Sequence, residues 1–339
     1  MFALGVPLLG LVLATAVHAA PPGPSESSET AVQSASPGYY RLTLGDFTVT
    51  ALYDGHTRIP QKILHGLGAA DIEASLARAF LPAAAPLNTS VNAYLVEMDK
   101  NLVLVDAGAA NCFGPTLGKL RHNIRAAGHR PEAVTTILIT HMHGDHVCGL
   151  ADEQGKMAFP NATVWAAKDE AAHWLGQDNA GGGSGATEVA RAALAPYISA
   201  KKFKTFVPPE PILPGLLTVA TPGHTPGHTG YLFTSRAQRL YIWGDIVHSQ
   251  AIQFARPEVS LDFDHDPRQA VATRKETLAD TAGKRLLVAG AHLPFPGIGH
   301  IRAEADGKYQ WVPLEFSQQL PPPGLPGRQG QAAPLKPGP

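Results

Sequence analysis

The sequence predicts an α/β fold in one large domain. Strand-like apolar runs alternate with helix-like segments along most of the 339-residue chain, and hydrophobic residues make up 44% of it. A chain of this length and composition can bury a sizeable core. Four of the strand-like runs lead into His or Asp side chains. Strands that end in this way place polar groups at the edge of a sheet, where we expect the functional site.

The charge balance excludes some classes of partner. Charged residues make up 16% of the chain and the formal net charge is −1, so we expect no nucleic-acid partner and no anionic membrane surface. The two cysteines, Cys112 and Cys148, are too few for a disulfide framework or a thiolate zinc site. We expect each to be a small buried thiol.

Both ends of the chain differ in composition from the middle. Residues 1–19 are predicted to be a signal peptide, because residues 3–17 are apolar but too few to span a membrane, and Ala19 ends a small-residue cleavage pattern. Because no Lys or Arg precedes Arg41, either the signal is atypical or the start is truncated. Residues 20–37 and 318–339 are rich in Pro, Ser or Gly and are predicted to be a disordered linker and tail. We therefore expect a periplasmic or secreted protein, free of the membrane after signal removal.

Hydrophobic periodicity predicts the elements in the first part of the folded domain. Period-two alternation indicates strands, and apolar residues three or four apart, as at Ile72, Leu76 and Phe80, indicate helices. The predicted order is a strand over 39–53, a turn at Asp54-Gly55, a helix over 71–80, a hairpin of 91–96 and 102–105 ending at Asp106, and a helix over 116–127.

A cluster of three imidazoles and one carboxylate directly follows a short apolar strand over residues 136–139. The cluster reads His141-Met142-His143-Gly144-Asp145-His146. Imidazole and carboxylate are ligand types for a borderline metal such as zinc. On an extended turn His141 and His143 can reach one ion, while Asp145 and His146 can hold a second. A His-rich surface loop without function is the alternative reading.

The second part of the domain continues the same alternation. Helix signals include Asp266 as an N-cap before Pro267. The glycine-rich segment is predicted to be a surface loop, which either covers a substrate or merely connects two helices. The predicted order is a strand over 162–166, a helix over 168–175, the glycine-rich loop over 179–185, a helix over 187–197 stopped near Pro196, and a helix over 267–280.

Three further strands end in potential metal ligands. The strand over 216–220 leads to His224, the strand over 239–243 to Asp245, and the strand over 286–289 to His292. One histidine in such a place is more often structural, but four successive strand ends of this kind indicate a site.

These ligands suffice for two divalent metal ions, which we expect to be Zn²⁺. A hydroxide shared between two such ions is a nucleophile near neutral pH. We expect Asp245 and His292 to be catalytic; the leaving group takes its proton from Asp245 or from a metal-bound water. The assignment is His141, His143 and His224 to the first ion, Asp145, His146 and His292 to the second, and Asp245 as the bridge.

The spacing of these ligands resembles that of the metallo-β-lactamase superfamily. Residues 88–96, 106–110, 113–118 and 295–304 are similar to the methyl parathion hydrolase group within it. The resemblance runs from about residue 40 to 316. It implies a metallo-β-lactamase αβ/βα four-layer sandwich over residues 38–317, a binuclear zinc-type site, a homodimer, and hydrolysis of a small-molecule lactone, aryl ester or organophosphate triester.

The same resemblance implies an aromatic substrate pocket. It assigns Trp174 to the pocket, with Phe113 and Phe80 as further candidates, although Trp174 could equally be a core residue. The glycine-rich loop departs from the family, where bulkier residues are expected, and favours a wider pocket for a lactone or aryl ester. His228 either supports the ligands from behind or is a turn residue that bonds a backbone carbonyl, and His248 and His265 could touch substrate.

Other functions remain open on this ligand set. An iron-dependent oxidoreductase or persulfide dioxygenase would use a related fold and similar ligands. Nucleic-acid processing is disfavoured by the near-neutral charge. A metal-binding protein without turnover would keep the site and hydrolyse nothing.

Overall fold

The computed structural model of the chain describes residues 37–83, 85–176 and 184–316. The predicted signal peptide, the linker up to residue 36, the tail from residue 318 and residues 179–183 of the glycine-rich loop lie outside the described residues. Among those described, no helix combines the length and apolarity needed to cross a membrane.

The described part of the chain alternates strands and helices. The strands are β1 (Tyr39–Leu44), β2 (Phe47–Ile59), β3 (Leu64–His65), β4 (Leu87–Met98), β5 (Asn101–Val105), β6 (Thr136–Leu138), β7 (Thr163–Ala167), β8 (Phe203–Phe206), β9 (Pro211–Leu213), β10 (Leu216–Ala220), β11 (Thr229–Ser235), β12 (Gln238–Ile242), β13 (Ser260–Leu261), β14 (Leu287–Ala289), β15 (Ile298–Ala303) and β16 (Tyr309–Pro313). The α-helices are α1 (Ala69–Arg78), α2 (Leu120–Ala126), α3 (Gly144–Val147), α4 (Lys168–Leu175), α5 (Ser184–Ser199), α6 (Gln250–Gln253) and α7 (Pro267–Gly283).

Two seven-stranded sheets contain most of these strands. The first has the order β1-β2-β4-β5-β6-β7-β8 and the second the order β16-β15-β14-β12-β11-β10-β9, while β3 and β13 form a separate pair. In the first sheet β5 through β8 run parallel, and in the second β12 and β14 are parallel. The carboxyl ends of parallel strands share one edge, which brings the ends of β5 and β6 together, and likewise those of β12 and β14.

Three apolar clusters show that the layers are helix, sheet, sheet and helix. One cluster packs the first sheet against α2 and α5, including Leu104, Ile124 and Leu194. A second lies between the sheets, where Val103 of the first faces Phe233 of the second. A third packs the second sheet against α7. Sheets that are buried on both faces read as continuous apolar runs, which is the pattern seen at β5 and β12. The predicted four-layer α/β sandwich is confirmed.

The first predicted strand is in fact two strands. Gly45, with φ of 61°, turns the chain between β1 and β2, and the predicted turn at Asp54-Gly55 lies within β2. Gly55 instead forms a bulge where the β2–β4 register shifts. The buried Asp54 carboxylate accepts backbone N–H groups of Ala109, Gly118 and Leu120 at 2.9 to 3.2 Å. The Asp-Gly pair therefore holds a neighbouring loop rather than reversing the chain.

Helix boundaries differ from the prediction at several places. Helix α1 runs from Ala69 to Arg78 instead of over 71–80, and α7 extends to Gly283 instead of ending at 280. Gly114 and Gly118 adopt positive φ, so the helix predicted from residue 116 begins only at Leu120. The helix predicted over 187–197 runs from Ser184 to Ser199 and passes through Pro196, which its last turn tolerates. Residues 184–185 of the predicted glycine loop thus belong to α5. At the start of α7 the Asp266 side chain accepts the N–H groups of Arg268 and Gln269, which confirms the predicted N-cap.

Candidate active site

The His-rich segment follows β6 and is held in place from the end of β5. The Asp106 carboxylate accepts the backbone N–H of Thr140 at 2.8 Å and its hydroxyl at 2.9 Å. Its Oδ2 also lies 2.8 Å from His146 Nδ1. Sequence reasoning identified Asp106 only as the end of a hairpin. The missed signal was that β5 ends in a carboxylate in the same way as the ligand-bearing strands.

Three predicted ligands bring ring nitrogens together on one side of Asp245. His143 Nδ1 lies 2.9 Å from His141 Nε2 and 3.0 Å from His224 Nε2. Asp245 Oδ2 is 3.5 Å from His141 Nε2 and 3.3 Å from His224 Nε2. These four side chains form one group that could hold a metal ion, here called the first group.

The remaining predicted ligands meet on the other side of Asp245. His292 Nε2 lies 3.4 Å from Asp145 Oδ2, and His146 Nε2 lies 3.6 Å from the same oxygen. Asp245 Oδ1 is 3.3 Å from His146 Nε2, and Asp245 Oδ2 is 3.0 Å from His292 Nε2. Asp145, His146 and His292 are the second group. The single Asp245 carboxylate therefore touches both groups, as the predicted bridge requires.

The chemistry of these side chains fits a cation. Burial first, and then the neighbouring imidazoles, hold the pKa of His141 and of His143 well below the usual value, so both are neutral donors of a lone pair. His146 Nε2 and Asp245 Oδ1 are buried atoms without a hydrogen-bond partner. Buried polar atoms normally have partners, and lone pairs that converge in this way suit a divalent ion.

Further polar contacts orient the ligand rings from behind. His224 Nδ1 lies 2.9 Å from Asp264 Oδ1. Burial lowers the pKa of His224, but its hydrogen bonds to Asp245 and Asp264 outweigh burial and raise the pKa to about 9. The N–H of Asp245 donates to His228 Nε2 at 3.0 Å. His228 therefore supports Asp245 from outside both groups. Asp264 was missed because it stands in a loop with no motif around it.

His248 is a further imidazole beside the site. Its Nε2 lies 3.2 Å from Asp245 Oδ2, and its Nδ1 is buried without a partner. With Asp245 and His292 it forms another group of potential ligands. His265, the other histidine considered from sequence, packs instead against His173, with 4.7 Å between ring centroids.

A cavity of about 430 Å³ opens over the two groups. Its floor carries His143, Asp145, Asp245 and His292, and its walls are mainly apolar. Phe113 and Phe263 are 54% and 45% exposed, which leaves aromatic faces free for a ligand. The apolar wall residues are Ile59, Pro60, Phe113, Leu117, Ala186, Val189 and Phe263.

Of the three predicted pocket aromatics, one lines the cavity and two do not. Phe113 lines the cavity. Trp174 does not line it, because the side chain is only 2% exposed within the core between the first sheet and its helices. Its indole N–H donates to Glu170 at 2.7 Å, and its ring lies 5.4 Å from that of His143. Phe80, 97% exposed just beyond α1, is also absent from the cavity wall.

Cys112 and Cys148 are joined in a disulfide across 36 residues, which corrects the expectation of two separate thiols. Spacing alone could not reveal this pair, because the turn after β5 brings Cys112 back to the end of α3. The bond ties the segment that carries Phe113 to the segment that carries His146. The disulfide therefore fixes one wall of the cavity relative to its floor.

Fold and site together define a member of the metallo-beta-lactamase superfamily. A model of that superfamily matches residues 87–292, and the chain belongs to this family. The fold and its hydrolase relatives identify a metal-dependent hydrolase, and the His/Asp groups indicate that it uses a divalent metal.

The chain is similar to one hydrolase and two lactonases. The crystal structure of the hydrolase AbOPH in the beta lactamase superfamily is 40% identical, with a TM-score of 0.79 over 84% of this chain and 100% of that one. AidC, described as a dizinc quorum-quenching lactonase in complex with the product N-hexanoyl-L-homoserine, is 25% identical, with a TM-score of 0.77 over 83% and 99% of the two chains. The N-acyl homoserine lactonase of Bacillus cereus is 25% identical over 175 residues, which cover 46% of this chain and 63% of that protein.

Proposed function

We propose that this protein is a binuclear, zinc-type metallohydrolase that opens lactones, with aryl esters and organophosphate triesters as further substrates. One observation carries the proposal. Two groups of ligand atoms converge beneath a mainly apolar cavity and share the Asp245 carboxylate. The similarity to AidC and to the Bacillus cereus lactonase favours a lactone over the other two substrate classes.

In this proposal the first group would hold one divalent ion and the second group would hold the other, with Asp245 in contact with both groups. Ions held there would supply a water of lowered pKa as the nucleophile and Lewis acidity toward the substrate oxygen. The exposed aromatic faces of Phe113 and Phe263 hold an uncharged, apolar substrate over the floor of the cavity. The apolar walls also exclude bulk water, which strengthens electrostatic interactions at the reacting centre.

Asp245 and His292 are assigned to the catalytic centre because they lie where the two groups meet, 3.0 Å apart. Asp245 is buried, yet the imidazoles of His146 and His292 outweigh burial and hold its pKa well below the usual value. It is therefore an anion that balances positive charge at the site. The Ser90 carbonyl, 2.8 Å from His292 Nδ1, accepts from that ring and directs His292 Nε2 toward Asp245.

The proposal is tested by comparing initial rates on dihydrocoumarin, N-hexanoyl homoserine lactone and methyl parathion. Protein stripped by a chelator is compared with the same protein refilled with zinc. We expect both lactone rates to vanish on stripping, to return with about two zinc ions per chain, and to exceed the phosphotriester rate. Rates that survive stripping would exclude the metal mechanism. A leading phosphotriester rate would reassign the substrate class.

The same preparation separates the oxidoreductase alternative. If the protein is an iron-dependent oxidoreductase, metal analysis of protein purified without added metal would find iron rather than zinc. The protein would then take up oxygen with a persulfide substrate and would not hydrolyse the three substrates. Binding of zinc without turnover on any of the three substrates would favour a metal-binding protein.

We further propose export to the periplasm or medium and a homodimeric state. The Cys112–Cys148 disulfide supports export, because disulfides persist in oxidising compartments. Fractionation of cells that express the full chain, with N-terminal sequencing of the product, tests cleavage after Ala19. Light scattering of the purified enzyme tests the dimer.

A further inference from the structure

Glu170 on α4 is a completely buried carboxylate that accepts four hydrogen bonds. Its Oε1 accepts the Met142 N–H and the Trp174 indole N–H, each at 2.7 Å. Its Oε2 accepts the Thr225 hydroxyl at 2.7 Å and the Gly227 N–H at 3.0 Å. Among the described residues no Lys, Arg or His forms an ion pair with it. A buried acid without a cation is rare, so its retention in this place calls for a role.

Three of the four partners of Glu170 belong to the two loops that carry the histidines of the first group. Met142 stands between His141 and His143, and Thr225 directly follows His224. The two loops are far apart in sequence and follow strands of different sheets. At Gly227 the backbones approach so closely that an added Cβ would lie 2.1 Å from the Glu170 nitrogen. Glu170 is therefore one point at which the first sheet's ligand loop and the second sheet's ligand loop are joined.

We propose that Glu170 is the positioning residue of the first group. By accepting from both loops it sets the separation of His143 and His224, whose facing nitrogens lie 3.0 Å apart. It also fixes the Trp174 indole, whose ring packs against that of His143. A carboxylate is needed because three of the four partners are N–H donors, which only acceptor atoms can satisfy. This inference rests on the proposed metal function.

Two of the three side chains of the second group are held by contacts that do not involve Glu170. His146 is held by Asp106, and His292 is held by the Ser90 carbonyl. Loss of the Glu170 contacts should therefore weaken binding of one ion and leave binding of the other close to that of wild type. Loss of a residue that only stabilises the fold would not weaken the binding of one ion more than the binding of the other.

The test is Glu170→Gln, which keeps the size of the side chain but replaces one acceptor oxygen by an amide NH₂. Whichever way the amide points, its NH₂ faces at least one backbone or indole N–H. Zinc binding is measured by competition with a chromogenic chelator, and activity on dihydrocoumarin is measured over a range of free zinc. We expect one ion to bind as in wild type and the other about 10- to 100-fold more weakly. Activity should fall at low zinc and recover as zinc is raised.

Two further variants distinguish a positioning role of Glu170 from a purely structural one. Thr225→Val removes only one of the four hydrogen bonds, and we expect the same selective loss in milder form, roughly 3- to 10-fold. Thr281→Val is the control, because the buried Thr281 hydroxyl donates to Thr277 on α7 at 2.7 Å, outside both ligand loops. It should lower the melting temperature without changing either zinc affinity.

Three outcomes would overturn the inference. Zinc affinities like those of wild type in Glu170→Gln would exclude any positioning role. Equal loss of both ions, in proportion to a fall in melting temperature, would show a purely structural role. A wild-type protein that binds no zinc and ignores the chelator would instead exclude the proposed function itself, and this inference with it.

Discussion

Asp106 Oδ2 lies 2.8 Å from His146 Nδ1, at the point where β5 ends beside the loop that follows β6. Asp106 adopts a left-handed backbone conformation with φ of 62°, which a non-glycine residue adopts at some cost. The strained turn directs its carboxylate at both Thr140 and His146. One side chain thus fixes the start of the ligand loop and orients a ring of the second group.

Replacing Asp106 by Asn should weaken metal binding at the second group. The amide keeps the shape of the carboxylate but loses its charge and one acceptor oxygen, and partners of this kind contribute about 10- to 100-fold to metal affinity. We expect a loss of that size in zinc affinity, measured by chelator competition. The matched control is Asp46→Asn, at an exposed ion pair with Arg236 on the β1–β2 turn, which should leave zinc binding unchanged. Equal zinc affinities in the two variants would refute the role of Asp106.

Phe113 and Phe263 should determine how tightly apolar substrates bind. Truncation of either ring to Ala removes apolar surface that a bound substrate would cover, worth about 1 to 2 kcal/mol per partly buried aromatic. We expect KM for dihydrocoumarin to rise roughly tenfold in each variant, with little change in kcat. Phe80→Ala, at a ring outside the cavity, is the control. A change in kcat alone would mean that the rings act on the reaction rather than on binding.

Removal of the disulfide should loosen the wall that carries Phe113. Closing a loop of this length stabilises a protein by about 2 to 4 kcal/mol. We expect the double variant Cys112→Ala with Cys148→Ala to melt several degrees lower. Phe113 directly follows Cys112, so loss of the bond should also displace this ring from the cavity wall. KM for dihydrocoumarin should therefore rise. Steady-state kinetics well below the melting temperature separate the two effects, and an unchanged KM would show that the loop keeps its place without the bond.

Tyr231 joins the two sheets next to the ligand loop. Its hydroxyl donates to the Ile139 carbonyl at 2.6 Å, and the ring is completely buried. Tyr231→Phe would leave that carbonyl without this partner, which costs about 1 to 3 kcal/mol. We expect a lower free energy of unfolding in urea, with metal stoichiometry unchanged. Retention of full stability would indicate that water or a shifted neighbour satisfies the carbonyl.

The seven predicted ligands show what local sequence can predict. Each follows a short apolar run, and the ends of neighbouring strands in a sheet meet at one edge. The run before Asp245 and the run before His292 form the neighbouring parallel strands β12 and β14, which place both side chains at one edge of the second sheet. The alternation of apolar residues likewise predicted α4 with its observed bounds, because periodicity is a property of the segment itself.

The predictions for Trp174 and Asp54 were wrong because the roles of these residues depend on contacts that local sequence does not indicate. Trp174 has the composition of a pocket residue, but its indole N–H finds Glu170 in the core, and nothing near it in sequence indicates that partner. Asp54 was predicted to form a turn because Asp-Gly commonly does so. Its actual role depends on backbone N–H groups more than fifty residues away.

By itself the sequence determined the α/β class, the candidate ligands and the apolar character of the domain, because periodicity, composition and residue chemistry are local quantities. Only the tertiary structure decided that Asp245 touches both groups, that Cys112 pairs with Cys148, and that Glu170 joins the two ligand loops. Each of these depends on residues that are distant in the sequence and are brought into contact by tertiary packing, to which many residues contribute. The sequence thus predicted the chemistry of the site, and the packing of the sheets set its geometry.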